Sequence, residues 1–217
     1  MEKKQIIIIG CGEHARVVID NIEEQNHYKI FGLTTNLDSE LNKRIQGYQV
    51  ICKDCNIKLL LKENPNIAGY FLGVGMKSMK KRFLIYSEMD RLLTPVNIIH
   101  PTSSISKSAK VGKGILFEAY TKIANDASLG DHCIINSFSS INHDQCIEDN
   151  ILIAGNVSLA GKYIGSHTII SDGAVIGFKR NVGKNCIIGD GAVVTKDIPD
   201  NSIAYGNPAR IIKENTW

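Results

Sequence analysis

Two hydrophobic rhythms divide the chain. In its first part, short apolar runs without alternation, "QIIII" at 5–9, "YKIFGLTT" at 28–35 and "IAGYFLGVG" at 67–75, have the pattern of buried parallel strands. Between and after them, 10–25, 54–64 and 78–92 place apolar residues at helical spacing, beginning with Ala15, Val17, Val18, Ile19 and Ile22. Strands alternating with helices predict a small parallel sheet with helices on its faces, an α/β module closing near Thr94.

From Ile99 the rhythm changes. An apolar anchor recurs every sixth residue (Ile99, Ile105, Val111, Phe117 and onward) as far as Leu159. One five-residue step leads to Ile164, and the six-residue step then resumes as far as Val194. The fourth residue after an anchor is often small or β-branched, as at Ala109, Thr121, Ala127, Cys133, Ser139, Val157, Ala174 and Ala192. Helices repeat at about 3.6 residues and strands at about 2, so neither alone gives this spacing; a hexapeptide coil does. Each hexapeptide is a short strand and a corner, and three of them close one triangular turn, stacked on the next at roughly 4.8 Å. The expected domains are therefore 1–94, a parallel-sheet module, and 95–217, a parallel β-helix. Prisms with flat faces pack side by side as a closed ring, which predicts a homotrimer with sites in the clefts between copies.

Composition adds exclusions. A net charge of +3 over 217 residues, with basic residues scattered, argues against a nucleic-acid partner. No apolar run approaches the roughly 20 residues of a membrane span, and the opening "MEKKQIIIIGCG" reads as a first strand and a glycine turn rather than a leader. The expectation is a cytoplasmic protein without a membrane partner. Six cysteines show no disulfide-type spacing, and Cys52 and Cys55 form a lone C-x-x-C, so no metal is expected there.

Gly10, Gly12 and Ala15 give G-x-G-x-x-A after a strand, a turn that can cradle a phosphate. A dinucleotide site adds an acidic residue at the end of the second strand; here stand Thr34, Thr35 and Asn36, which disfavours NAD. Lys77, after the third strand, can meet a phosphate. In the coil, "SSINHDQCIED" places His143 beside Asp144, two positions after the anchor Ile141, so the ring projects outward at a corner. His132 and His167 also fall at outer corners, two turns apart at about 10 Å, too far for a shared zinc.

The quoted stretches "IIIIGCGEHARVVID", "NIIHPTSSIS", "INHDQCIED", "VSLAG" and "IIGDGAVVTKDIPDNSIAYGNPARIIK" together resemble the PglD/NeuD-like bacterial sugar acetyltransferases. The resemblance covers essentially the whole length. It implies a Rossmann-like first domain binding the nucleotide part of a sugar substrate, before a left-handed parallel β-helix. It implies a trimer with acetyl-CoA as co-substrate between adjacent subunits, and acetylation of an amino sugar, most often the 4-amino group of a nucleotide-linked 4-amino-6-deoxy sugar. O-acetylation of a free sugar such as sialic acid, or a non-catalytic β-helical binding protein, stand as alternatives. By the resemblance His143 is the general base and Asp144 its acidic partner, roles suited to a ring that titrates near neutrality.

The Gly161 backbone N–H would face the thioester carbonyl. Gly173 and the backbone near Lys179 and Arg180 would line the coenzyme, with Lys196 and Arg210 as phosphate contacts. Gly10, Gly12, His14, Thr34, Thr35, Gly75 and Lys77 would meet the nucleotide-sugar. The chain departs from the family in several places. Thr34 and Thr35 replace a common acidic pair, Gln145 replaces a small residue, Leu152 stands where some relatives carry histidine, and the coil loses one residue at Lys162–Tyr163.

Overall fold

The structure, a computed structural model, describes residues 3–75 and 79–216. Contacts divide the chain into two compact units, Met1–Ile99 and His100–Trp217.

The first unit is built on β1 (Lys4–Ile9), whose Ile6, Ile7, Ile8 and Ile9 are all fully buried. Each such isoleucine contributes about 1.5–3 kcal/mol of apolar burial. Helix α1 (Glu13–Gln25) follows the glycine turn and ends where Asn26 takes the left-handed conformation (φ 59°), its N–H donating to the Ile22 carbonyl at 2.9 Å. It buries Ala15, Val18, Ile19 and Ile22; Val17, assigned to the apolar face by its spacing, is instead exposed. The next elements are β2 (Tyr28–Thr35), β3 (Arg44–Ile45), β4 (Tyr48–Lys53), α2 (Ile57–Glu63), β5 (Ile67–Leu72) and α3 (Met79–Met89). The sheet order is β3-β4-β2-β1-β5, with β4, β2, β1 and β5 parallel. Ile7, Ile9, Tyr70 and Leu72 pack against Ile57, Tyr86 and Met89 of α2 and α3. On the other side Ile8 and Ala15 close over Gly73, where a Cβ would lie 2.7 Å from the Ile8 Cγ2.

The hairpin β3–β4 is an addition to the sequence expectation. Gln46 (φ 45°) and Gly47 (φ 87°) make its two-residue turn, a conformation that matches strand twist.

The second unit stacks two-residue parallel strands into three sheets. One runs through Ser104–Ile105, Lys122–Ile123, Ser140–Ile141, Ser158–Leu159, Val175–Ile176 and Val193–Val194. The second carries Lys110–Val111 through Asn181–Val182, and the third continues from Leu116–Phe117 through Ile187–Ile188 to Ser202–Tyr205. Every anchor from Phe117 to Val194 is buried, as the six-residue period requires. The corners hold residues in the left-handed region, among them Asp126, Asp144, Asn150 and Lys179 (φ 54–59°). Asp and Asn populate that region more readily than most residues. Carboxylates also tie coil to coil: Asp131 Oδ1 accepts the Lys113 N–H and Asp149 Oδ1 the Asp131 N–H, both at 2.7 Å. The strand Arg210–Glu214 closes the third sheet by pairing antiparallel with Ser202–Tyr205. His132, expected at an outer corner, is buried, 2% exposed. Gly114, at the same corner one coil earlier, takes the same left-handed conformation (φ 67°).

Candidate active site

The corner between the first and second coil sheets gathers most of the residues singled out in the coil. It carries His143 and Asp144, then Gly161 one coil on, then Lys179 and Arg180, then Lys196. Lys179 N–H donates to the Ala160 carbonyl at 3.1 Å, and Lys162 N–H to the Arg180 carbonyl at 2.9 Å, which fixes the stacking of these coils. Gly173 (φ 66°) lies at a different corner, with open space where a Cβ would stand. Arg210 belongs to the terminal hairpin, its Nη1 donating to the neighbouring Ala209 carbonyl.

His143 and Asp144 project outward, with side chains 60% and 71% exposed. The left-handed turn at Asp144 folds its carboxylate back, so that Oδ2 lies 2.6 Å from His143 Nδ1. A carboxylate only accepts, so Nδ1 carries a proton, and in the neutral ring Nε2 then holds the lone pair. Such an imidazole can remove a proton from a nucleophile and then be stabilised as imidazolium by its carboxylate.

The lost residue in the coil falls inside this corner. Regular coils span it with four residues, as at 142–145; here Ala160, Gly161 and Lys162 suffice, and Cys146 still pairs with Tyr163. The long Gln145 side chain lies there fully buried, its Oε1 and Nε2 both without a hydrogen-bond partner among the described residues. A Cβ on Gly161 would lie 3.2 Å from that Nε2 and 2.7 Å from the Arg180 carbonyl, so any side chain there forces the backbone to shift. Among the described residues the Gly161 N–H takes no part in the backbone ladder, leaving it as a donor. At the next corner Glu148 accepts from the Ser166 N–H at 3.0 Å and from its hydroxyl at 2.5 Å. Burial alone would raise its pKa; these bonds, with Tyr163 and Lys184, hold it at about 2.

In the first domain the candidates cluster at the carboxyl ends of the strands. Gly10 (φ 97°) needs glycine's freedom, because a Cβ would also meet Val74 Cγ2 at 2.9 Å. Gly12 precedes α1 with no side-chain cap, leaving the first-turn N–H groups free of one. His14 on that turn packs against Gly75; burial and the Arg82 charge lower its pKa to about 4, and it stays neutral at physiological pH. Arg82, fully buried and donating to the Val74 carbonyl at 2.5 Å, was not singled out by the sequence. Lys77 lies outside the described residues.

Thr34 and Thr35 are buried, and their hydroxyls serve internal bonds. Thr34 donates to Asp54 Oδ1 at 2.5 Å, and its oxygen accepts the Gly10 N–H at 3.4 Å. A carboxylate therefore does stand at the end of the second strand, delivered from the segment after β4. Burial raises the Asp54 pKa, with Glu88 adding, against the Thr34 bond and the Lys81 charge. A cleft beside it is lined by Ile9, Asn36, Asp54, Cys55 and side chains of α2 and α3.

All six cysteines are free, and among the described residues no three His, Cys, Asp or Glu side chains converge to hold a metal. Among those residues no helix is long and apolar enough to cross a membrane.

Residues 5–86 match the family model of the PglD N-terminal domain. Among curated proteins, sequence comparison finds no match. Among solved structures, GDP-perosamine N-acetyltransferase from Caulobacter crescentus, in complex with CoA and GDP-perosamine, superposes with a TM-score of 0.87 at 26% identity, over 97% of each chain. The acetyltransferase domain of PglB from Neisseria gonorrhoeae, with acetyl coenzyme A, gives 0.85 at 27% identity over 97% of this chain and 100% of its own. WeeI from Acinetobacter baumannii shares the fold at 20% identity, with a TM-score of 0.72 over 95% of this chain and 99% of that one. Over nearly its whole length, and by its PglD N-terminal domain, the chain resembles the PglD-like bacterial sugar acetyltransferases.

Proposed function

We propose that the chain transfers acetyl from acetyl-CoA to the amino group of a nucleotide-linked 4-amino-6-deoxy sugar. The observation that carries this is the outward His143–Asp144 pair, 2.6 Å apart, on the same corner column as Gly161, Lys179, Arg180 and Lys196. A likeness to a CoA-bound N-acetyltransferase over 97% of the chain supports it.

The sugar amine attacks the thioester carbonyl carbon while His143 Nε2 takes its proton, and Asp144 stabilises the imidazolium. The Gly161 N–H donates to the oxyanion. Collapse expels the CoA thiolate, which takes the proton from the His143 imidazolium, leaving CoA, the N-acetyl sugar and the neutral ring. Lys179, Arg180 and Lys196 are cations placed for the coenzyme phosphates, and the first domain holds the nucleotide at its glycine turn and α1 N-terminus. Transfer is direct, with no covalent acyl-enzyme. A homotrimer would complete the cleft beside each corner. The exposed stacked pair Tyr120–Phe138, with centroids 5.0 Å apart, and exposed Phe178 offer apolar contact for it. Sedimentation of a stable monomer at micromolar concentration would remove that shared cleft.

The test is thiol release from acetyl-CoA across UDP-, dTDP- and GDP-linked 4-amino sugars and free sialic acid, with His143→Ala in parallel. Turnover on an amino sugar is expected, with kcat reduced about 10²–10⁴-fold in the variant while acetyl-CoA still binds. Turnover on sialic acid alone would replace N- by O-acetylation. A variant with wild-type turnover would remove His143 as the base, and failure to bind acetyl-CoA would leave a binding protein.

A further inference from the structure

The first domain carries a carboxylate that its sequence hides. In an open parallel sheet, ligands bind beyond the carboxyl ends of the strands, and a nucleotide's ribose is held by an acid at the end of the second strand. Here that strand ends Thr34-Thr35-Asn36, with no acid. Asp54, directly after β4, takes the place from a neighbouring strand. The Thr34 hydroxyl donates to its Oδ1 at 2.5 Å and accepts the Gly10 N–H at 3.4 Å, so the carboxylate lies two hydrogen bonds from the glycine turn. Oδ2 enters no hydrogen bond or ion pair among the described residues. Asp54 also lines a cleft with Ile9, Asn36 and, from α2 and α3, Lys58 and Glu88; the Lys81 charge favours its ionised form and the Glu88 charge opposes it. Fixed by Thr34 on one oxygen, it presents acceptor capacity to that cleft.

Adjacent hydroxyls of a ribose are paired donors at the spacing a carboxylate accepts. We propose that Asp54 holds the ribose 2′- and 3′-hydroxyls of the nucleotide, so that this domain takes ribonucleoside diphosphates and rejects their 2′-deoxy counterparts. This rests on the reading of the first domain as the nucleotide site, and it narrows the substrate to UDP- or GDP-linked sugars over dTDP-linked ones. The short approach to Gly10 favours the sugar over the base edge, because the carboxylate lies close to where the turn holds phosphate. A base-reading role would leave the 2′-hydroxyl without influence.

The test is calorimetric binding of GDP against 2′-deoxy-GDP and of UDP against 2′-deoxy-UDP, to the full chain and to Asp54→Asn. Each comparison keeps the base constant. The wild-type chain should bind the ribo form about 10–100-fold more tightly, the weight of hydrogen bonds to a charged group. In Asp54→Asn, whose amide oxygen still accepts from Thr34, ribo affinity should fall by a similar factor and the ribo/deoxy ratio approach one. The wild-type comparison needs no variant. Equal binding of ribo and deoxy forms overturns the assignment while leaving the nucleotide site in place. A preference that persists in Asp54→Asn overturns it too, since another group then reads the hydroxyl. Absence of binding by every nucleotide overturns both this assignment and the nucleotide reading beneath it.

Discussion

Replacing Gln145 by methionine should stabilise the coil. The side chain is fully buried, and neither amide atom has a hydrogen-bond partner among the described residues. A buried polar group left unmade costs about 1–3 kcal/mol, so the amide opposes folding by at least that order. Methionine is unbranched and of similar length, and keeps the packing against Gly161 while removing the polar atoms. The gain should be about 1–3 kcal/mol, or roughly 3–10 °C in Tm for a chain of this size. Alanine should fall below methionine by about 2–4 kcal/mol, because it leaves a cavity where that side chain packs. Glutamate, a buried charge without a partner, should fall furthest. Thermal unfolding of the four proteins at one concentration and scan rate measures the order. A methionine variant less stable than wild type would refute the reasoning, since the amide would then be making bonds in the folded protein. Acetyl-transfer activity should survive in methionine, whose change lies inside the coil rather than at the outward His143.

Gly161→Ala should destabilise the coil by about 1–3 kcal/mol, because its Cβ would meet the Arg180 carbonyl at 2.7 Å, and should raise the KM for acetyl-CoA; an unchanged KM removes the glycine from the coenzyme path. Asp144→Asn should lower kcat while leaving acetyl-CoA affinity unchanged, since an amide still orients the ring but carries no charge to stabilise the imidazolium; a kcat within twofold of wild type would leave Asp144 without a role. His14 binds its proton less readily folded (about 4) than unfolded (6.5), so the unfolded chain holds more protons between these values and stability should rise with pH across that window. Urea titrations of His14→Gln should show a flatter profile between pH 4 and 6.5; an identical profile would assign the slope to other groups. Glu148, held at about 2, contributes stability present above pH 4.5 and lost as pH falls toward 2, and Glu148→Gln should remove that acid limb.

The coil was legible because its geometry leaves a periodic residue. Each two-residue strand must put one side chain inward, and the anchors from Phe117 to Val194 do so without exception. The five-residue step was visible too, but its consequence was not: that Gln145 lies buried at the shortened corner follows only once Cys146 is seen to pair with Tyr163. In the first domain the buried β1 and α1 follow from the apolar pattern, whereas the hairpin at 44–53 has only short, half-buried runs on either side of its turn. Its signal, a glycine turn at Gln46-Gly47 between short half-buried runs, was present in "RIQGYQVICK". Asp54 was legible only in space. Twenty residues separate it from Thr34, and the parallel pairing of β2 with β4 brings them together. His143 could be placed at a corner from its distance to Ile141; the 2.6 Å approach of Asp144 needed the left-handed turn that the structure supplies.

The antiparallel strand Arg210–Glu214 has a consequence for growth. A stack of parallel coils has no intrinsic length, since each finished turn presents fresh N–H and C=O groups as a template for the next. Here the chain doubles back on Ser202–Tyr205, and all five residues of the returning strand are exposed, among them Arg210, Lys213 and Glu214. A reversed strand breaks the parallel register that another coil would need, and Arg210, Lys213 and Glu214 flank the exposed Ile211 and Ile212 on that edge. The hairpin thus interrupts parallel stacking on this one of the three coil sheets.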